Sequence, residues 1–281
     1  IKIHGFTGCS TVWQRNIAAL SRKWRVITPD LRGHGESDKP KHGYHVSRLA
    51  MDLRELLVHI LRDCNKPPED IRFRALGGSL GCSILWCYAE LFTTAPFTHM
   101  IFVDQSPLQN STLDGWDSRF CNRGMNTPST LAELQATLRL APERAYKSTI
   151  ASCLAYRSHP LPTDNVSIST AESDESFFLA RALKGDPIWY GKLMADHTAL
   201  DWRDSIRATF GHRDNETKVL VIASRRSGCF PAEGPMTVVD LINEGHDETH
   251  AKGVVIEWGG HWCYWEDPER FNELVLAFLD E

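Results

Sequence analysis

The fold of this 281-residue chain is decided by the stretch Ile71-Arg72-Phe73-Arg74-Ala75-Leu76-Gly77-Gly78-Ser79-Leu80-Gly81-Cys82-Ser83-Ile84. The stretch predicts a short strand, a tight bend and the first turns of an apolar helix. Gly77 and Gly81 lie two positions before and two positions after Ser79, where such a sharp turn leaves no space for a Cβ atom. Ser79 is therefore expected to project from the carboxyl end of the strand, beside helix N–H groups that favour negative charge.

A second glycine-flanked loop, His4-Gly5-Phe6-Thr7-Gly8, follows the strand predicted at Ile1–Ile3. A loop of this kind leaves backbone N–H groups free at the carboxyl edge of a sheet. We expect the N–H groups of Phe6 and Leu80 to form an oxyanion hole beside the serine, with Gly5 bordering the substrate. An ordinary tight turn between strand and helix is the alternative.

Hydrophobic patterning on both sides of the serine turn alternates between strands and helices. Further strands are predicted at Trp24–Thr28, His99–Val103, Lys218–Ala223 and Gly253–Trp258. Helical periodicity covers His45–Asp63, Val238–Glu244 and, near the end, the stripe Phe271, Leu274, Val275 and Phe278. This alternation predicts an α/β protein with a mostly parallel, doubly wound sheet, whose core we assign to residues 1–107 and 206–281.

Residues 108–205 break the alternation, because their periodicity is helical and no convincing strand occurs among them. We predict that they form a helical cap, or lid, over the active edge of the sheet. Most of their aromatic side chains are expected to pack the cap itself, and two or three to line a pocket. The candidates for substrate contact are Trp116, Trp189 and Tyr190 in this segment and Trp262 after the last predicted strand.

The segment Asp30–Ser37 reads D-x-R-G-H-G-x-S and follows the second predicted strand. The order strand, H-G turn, helix, strand, D-x-R-G-H-G-x-S, helix, strand, G-x-S-x-G resembles the α/β-hydrolase superfamily, and the match continues to the end of the chain. The resemblance implies the α/β-hydrolase fold. It also implies that Asp30, Arg32 and His34 pack their loop rather than take part in catalysis.

A serine nucleophile of this family works with a histidine base and an acid. Acyl transfer needs a base with a near-neutral pKa to take the serine proton, and an anion to orient that base. His261 fits the base, because it follows the last predicted strand in the loop Gly259-Gly260-His261-Trp262, late in the chain where this fold has its histidine. His246 and His250 lie in or near a helix and are expected to be solvated.

The acid departs from the commonest pattern of the family. It usually follows the strand that corresponds to Lys218–Ala223, but the next residues here are Ser224-Arg225-Arg226-Ser227-Gly228-Cys229, and no carboxylate occurs before Glu233. Asp104 ends the strand directly after the serine turn. Since adjacent strands lie only about 5 Å apart, its carboxylate can reach the same imidazole. A helix cap or a turn acid is the alternative role for Asp104.

The placement of the acid after this strand resembles that in haloalkane dehalogenases, fungal zearalenone-type lactonases and cofactor-free quinolone dioxygenases. Dehalogenases and epoxide hydrolases carry an Asp at the nucleophile turn, so Ser79 separates this chain from them. The resemblance implies a serine esterase or lactonase with Ser79, His261 and Asp104 as its triad. The aromatic cap indicates that the ester or lactone is bulky and largely apolar, and the chemistry requires no metal or organic cofactor. The alternatives are a cofactor-free dioxygenase that uses His261 and Asp104, and a ligand-binding receptor of the same fold.

Charge and composition limit the classes of partner that the chain is expected to bind. A net charge of −5 without a long Lys/Arg run argues against nucleic acid or a membrane surface, and no apolar run approaches the roughly 20 residues that span a bilayer. The chain begins at Ile1 inside a predicted strand, so its natural start is expected to be missing. The sequence does not decide between a monomer and a homodimer.

Cysteine usage bears on the compartment and on metal binding. The chain contains no C-x-x-C pair and no histidine spacing typical of zinc sites. Reduced thiols favour a cytoplasmic protein, whereas three N-x-[ST] sequons, at Asn110, Asn165 and Asn215, keep secretion open. The eight cysteines are Cys9, Cys64, Cys82, Cys87, Cys121, Cys153, Cys229 and Cys263.

Overall fold

Five parallel strands form one sheet in the order β1-β2-β3-β4-β5. The computed structural model describes residues 1–64, 67, 71–111, 116–246 and 248–281. Within these ranges the strands are β1 (Lys2–Ile3), β2 (Phe73–Gly78), β3 (Phe97–Val103), β4 (Lys218–Ser224) and β5 (Ala251–Ile256). Because all neighbouring strands are parallel, their carboxyl ends meet at one edge, where ligands bind in open α/β sheets.

Helices connect the strands and cover both faces of the sheet. The α-helices are α1 (Gln14–Leu20), α2 (Val46–Asp63), α3 (Leu80–Phe92), α4 (Pro128–Leu140), α5 (Pro142–Cys153), α6 (Ala155–Ser158), α7 (Ile168–Ala182), α8 (Pro187–Ala199), α9 (Arg203–Thr209), α10 (Glu233–Asn243), α11 (Cys263–Glu266) and α12 (Pro268–Leu279). Among the described residues, no helix combines the length and the apolar character that crossing a bilayer requires. The helices predicted around residues 45–63, 238–244 and 271–278 are confirmed as α2, α10 and α12.

Strand β3 illustrates how the sheet supports a core on both faces. Met100 and Phe102 join one buried cluster, whereas Ile101 and Val103 join another. Successive side chains of a strand point to opposite faces, so the two clusters lie on opposite sides of the sheet. Helices α2, α3 and α10 contribute to the first cluster, and α1 and α12 contribute to the second. The doubly wound α/β architecture predicted from the sequence is therefore confirmed.

The strand predicted at Trp24–Thr28 is wrong. The N–H of Lys2 donates to the carbonyl of Ile27 over 2.9 Å, but the segment has no regular strand assignment. Strand β1, beside which the segment lies, is itself only two residues long, so it offers too few backbone groups for a ladder of repeated pairs. Its β-branched and aromatic composition therefore indicated a strand that the neighbouring backbone does not support.

Residues 116–205 are largely helical and contain α4 to α8 and the start of α9. Residues 112–115 of the predicted cap lie outside the described residues. An isolated antiparallel bridge joins Leu108 to Asp201, at the two ends of the segment. The boundary placed at residue 205 falls inside α9, whose Ile206 packs into the core cluster beneath α3. A cap function for this segment stays a prediction.

Candidate active site

Ser79 occupies a strained turn between β2 and α3. Its backbone angles are φ 54° and ψ −120°, a left-handed conformation that is rare for a residue with a side chain. A Cβ atom on Gly77 would lie 2.5 Å from the carbonyl carbon of Gly81, and a Cβ on Gly81 would lie 2.5 Å from the carbonyl oxygen of Ile3. Both distances are far inside van der Waals contact, so the two glycines of the motif are required for steric reasons. The side chain of Ser79 is half-buried at the carboxyl edge.

The loop after β1 packs directly on this turn. A Cβ atom on Gly5 would lie 3.0 Å from Cβ of Ser79 and 3.1 Å from the carbonyl oxygen of Gly78. Only a residue without a side chain fits this approach comfortably. The loop therefore lies beside the serine, as the sequence predicts, while the roles of the Phe6 and Leu80 N–H groups as oxyanion donors stay a prediction.

Asp104 and His261 form a buried hydrogen bond. His261 Nδ1 lies 2.6 Å from Asp104 Oδ2, and the two residues are 5% and 1% exposed. Asp104 adopts a φ of 51° directly after β3, and its backbone N–H donates to the carbonyl of Ile222 in β4 over 2.8 Å. The strained conformation ends β3 at the same sheet edge as the serine turn. An acid after β3 thus reaches the histidine that follows β5.

Two serines, one at the end of β4 and one in the loop after it, hold the carboxylate of Asp104. The N–H of Ser224 donates to Asp104 Oδ1 over 3.1 Å, and the hydroxyl of Ser227 donates to Oδ2 over 2.6 Å. The Ser227 oxygen also accepts from the N–H groups of Cys229 and Phe230. These supporting residues were missed from the sequence, because serines after a strand carry no signal that distinguishes them from ordinary turn residues.

The surroundings of His261 favour its protonated form. Burial opposes the charge, but the neighbouring Cys229 and the hydrogen-bonded Asp104 outweigh it and raise the pKa of His261 to about 10. The imidazolium is the form that a triad must stabilise once the histidine has taken the serine proton. The largest contribution to this rise comes from the negative charge of a Cys229 thiolate, so the near-neutral pKa that a general base needs requires Cys229 to be in its neutral thiol form.

Glu266 organises the loop that carries His261. Its carboxylate accepts from the N–H of Gly260 over 2.7 Å and from the N–H of Ala155 over 2.8 Å. Burial raises the pKa of Glu266 to about 7, although these backbone hydrogen bonds and Arg226 counteract the rise. The Glu266 side chain thereby connects the loop that carries His261, here called the base loop (residues 259–262), to the junction between α5 and α6.

The aromatic candidates Trp189 and Tyr190 pack around the loops of the site. Tyr190 is fully buried, and its ring lies edge-on to Phe6, with the ring centroids 5.3 Å apart. Trp189 packs on Gly33 and donates from Nε1 to the carbonyl of His42 over 3.3 Å. Tyr190 thus borders the predicted oxyanion loop, whereas the contacts of Trp189 are with the loop that follows residue 30.

The other two aromatic candidates differ in their surroundings. Trp262 follows the base directly and stacks on Phe178 of α7, with the ring centroids 3.8 Å apart. Trp116 packs against Phe120 and lies under the guanidinium of Arg203. Trp262 therefore connects the loop that carries His261 to the helical segment, while Trp116 packs on Phe120 and Arg203.

The motif residues outside the triad make structural contacts. Asp30 accepts hydrogen bonds from the N–H groups of Ser10 and Glu36, and Arg32 pairs with Asp52 of α2. Arg226 forms an ion pair with Asp164 and donates to the carbonyl of His159. These side chains hold loops together. None of these partners belongs to the proposed triad.

His246 and His250 are not simply solvated, as the sequence suggested. Both are half-buried, and their rings stack with centroids 4.0 Å apart. One Nε2 lies 2.9 Å from the carbonyl of Phe210 and the other 2.9 Å from the carbonyl of Thr217. Both rings are thus fixed by local hydrogen bonds at the opposite end of β4 from the site.

Comparison with known proteins places the chain in a family. The model of the alpha/beta hydrolase fold matches residues 1–268, so the chain belongs to this family. An uncharacterized protein of Mycobacterium tuberculosis is 26% identical over 287 residues, covering 99% of this chain and 74% of the relative.

Solved structures show the same fold at low identity. An esterase from Exiguobacterium antarcticum superposes with a TM-score of 0.80 at 17% identity, covering 100% of this chain and 91% of the esterase. A bromoperoxidase from Bacillus anthracis superposes with a TM-score of 0.79 at 20% identity, with the same coverage of 100% and 91%. The predicted superfamily is confirmed.

Proposed function

We propose that the protein is a serine hydrolase that cleaves an ester or lactone bond of a bulky, largely apolar small molecule. The observation that carries the proposal is the 2.6 Å hydrogen bond between His261 and Asp104 at the sheet edge where Ser79 lies on its strained turn. Membership of the alpha/beta hydrolase family supports a hydrolytic reaction. The roles of Ser79, His261 and Asp104 are assigned from what acyl transfer requires of a nucleophile, a base and an acid.

In the proposed reaction, Ser79 Oγ attacks the substrate carbonyl while Nε2 of His261 takes its proton. Asp104 keeps Nδ1 protonated and stabilises the imidazolium. The N–H groups of Phe6 and Leu80 donate to the oxyanion of the tetrahedral intermediate. His261 then protonates the leaving oxygen, and water hydrolyses the acyl-enzyme through the same groups.

Residues 108–205 act, in this proposal, as a cap that shapes the substrate pocket. The contact between the cap and the base loop supports this role, since a Cβ atom on Gly260 would lie 2.7 Å from the N atom of Ala155. Aromatic side chains beside the loops, such as Tyr190 and Trp262, favour a bulky apolar substrate. The chemistry needs no metal and no organic cofactor.

A fluorophosphonate probe tests the nucleophile. We expect stoichiometric labelling of Ser79 by intact mass and peptide mapping, together with loss of turnover on aryl esters and macrocyclic lactones. The matched control is Ser83→Ala, which changes a buried serine one helical turn away and should label normally. An unlabelled Ser79 in folded protein would overturn the proposal.

A cofactor-free oxygenase is the second candidate. The specific observation in its favour is that the buried His261–Asp104 pair is complete without Ser79, so it could deprotonate an organic substrate whose carbanion reacts with dioxygen. Oxygen consumption that persists in Ser79→Ala would favour this reading over hydrolysis. Ligand-induced thermal stabilisation without any turnover would instead favour a receptor.

A further inference from the structure

Two cysteines lie beside the base. Sγ of Cys153, at the end of α5, lies 3.6 Å from Sγ of Cys229, in the loop after β4. These two sulfurs and a ring nitrogen of His261 all lie within 4.8 Å of one another. Cys153 and His261 are buried and Cys229 is half-buried. Three elements that are distant in sequence thus converge on one point of the catalytic edge.

The donor set fits a thiophilic divalent cation such as Zn²⁺. Two thiolates and one imidazole form the ligand set of known three-ligand zinc sites, which leave a fourth position for water. Tetrahedral coordination at Zn–S distances near 2.3 Å requires two sulfurs about 3.8 Å apart, close to the separation seen here. Tetrahedral coordination also places the imidazole nitrogen about 3.6 Å from each sulfur, so the three ligand atoms, which here lie within 4.8 Å of one another, move inward on binding.

Charge also fits this assignment. A dication bound by two thiolates and a neutral imidazole is neutral overall, and a neutral complex avoids the large cost of burying net charge. On binding, His261 and the two cysteines release the protons that their ligand atoms carry to solvent. Cys229 is half-buried, whereas Cys153 is 2% exposed.

We propose that Cys153, Cys229 and His261 form a binding site for Zn²⁺ or a similar thiophilic cation, and that occupancy switches the active site off. The inhibitory part rests on the proposed hydrolase function, whereas the binding part does not. Coordination through Nε2 removes the nitrogen that takes the Ser79 proton. Coordination through Nδ1 replaces its bond to Asp104. Either mode disables the base.

Cobalt binding tests the site directly. Co²⁺ added to the metal-free chain, kept reduced with a phosphine, should bind once per chain and give a thiolate-to-cobalt charge-transfer absorption in the near ultraviolet. We expect Cys153→Ser and Cys229→Ser to weaken binding by at least about 100-fold, more than the loss of an outer-shell partner. The matched control is Cys64→Ser, a half-buried cysteine at the end of α2, which should bind like the wild type.

A readout on the unmodified chain protects the test against misfolded variants. Native mass spectrometry of the wild type with Zn²⁺ should show one added zinc and the loss of two protons. Absence of binding, absorption without the thiolate band, retention of binding in Cys229→Ser, or equal loss in Cys64→Ser would each overturn the site.

Activity separates this inference from the proposed function. Stoichiometric Zn²⁺ should inhibit ester turnover of the wild type at least tenfold, a chelator should restore it, and the Cys229→Ser variant should resist inhibition. An inactive chain that still binds Co²⁺ through thiolates would contradict the hydrolase function and leave the site standing. An active chain that binds Zn²⁺ without inhibition would refute the switch.

Discussion

The loops after β3 and β4 begin at the same sheet edge but have different chemical roles. The loop after β3 contributes the carboxylate of Asp104. The end of β4 and the loop after it, where the resemblance would more often place the acid, contribute the hydrogen-bond donors Ser224 and Ser227 and the thiol of Cys229. The difference shows that a carboxylate after β3 can pair with His261 while residues at the end of β4 and beyond it donate hydrogen bonds to that carboxylate.

The largest expected effect comes from Ser79→Ala. Without the nucleophile, the residues of both loops have no acylation step to assist. Turnover of esters should fall by up to about 10⁶, as for loss of a triad serine. The melting temperature should stay close to that of the wild type, because the side chain is half-buried and its removal leaves the glycine packing of the turn intact. Steady-state kinetics and thermal unfolding measure both. Retained turnover would refute the assignment of the nucleophile.

Asp104→Asn tests the acid after β3. The amide cannot stabilise the imidazolium or enforce the required tautomer, so the rate should fall by about 10⁴. Single-turnover kinetics on an aryl ester should show the loss in the acylation step. The matched control is Asp164→Asn, which removes the carboxylate paired with Arg226 instead. A near-normal rate in Asp104→Asn would mean that another acid serves His261.

Ser227→Ala tests the supporting role of the loop after β4. We expect a rate loss of about tenfold, equivalent to about 1.4 kcal/mol, because Asp104 loses a 2.6 Å donor and can rotate away from the base. Ser224→Ala is the matched control, since its hydroxyl donates to the carbonyl of Gly259 rather than to Asp104. If the two variants lose similar unfolding free energy and only Ser227→Ala is slower, the rate loss reflects the position of Asp104 and not the stability of the fold.

The smallest effect on rate is expected at Glu266, the last residue of α11. Its pKa is raised by burial from an ordinary 4.5 to about 7, so the folded chain holds a proton that the unfolded chain releases. The free energy of unfolding should therefore fall as pH rises from 4.5 to 7, by about 3 kcal/mol, and level off above that range.

Glu266→Gln isolates this contribution. The amide does not titrate, so the difference in unfolding free energy between wild type and variant should change across that pH range. The buried His4 and His34, whose pKa values burial lowers to about 4 and about 3, add stability with the opposite slope as pH rises. They are common to both chains and cancel in the difference. Urea unfolding at several pH values provides the measurement, and parallel curves would contradict the prediction.

The sequence predicted most of the fold because the main signals are local. Apolar periodicity located α2, α10 and α12, and the β-branched run before Asp104 located β3. The segment Trp24–Thr28 failed because strand formation depends on a neighbouring backbone, which composition does not report. The positions of the aromatic side chains could not be predicted either, since side-chain packing between helices and loops is set by contacts distant in sequence.

The serine turn could be predicted from the chain alone. Gly77 and Gly81 flank Ser79 at positions where the backbone of the turn leaves no space for a larger residue. The surroundings of His261, in contrast, depend on tertiary contacts. Donors to Asp104 and two adjacent thiols come from separate segments, and their convergence depends on sheet order and on how α5 packs against the base loop, neither of which any local spacing encodes.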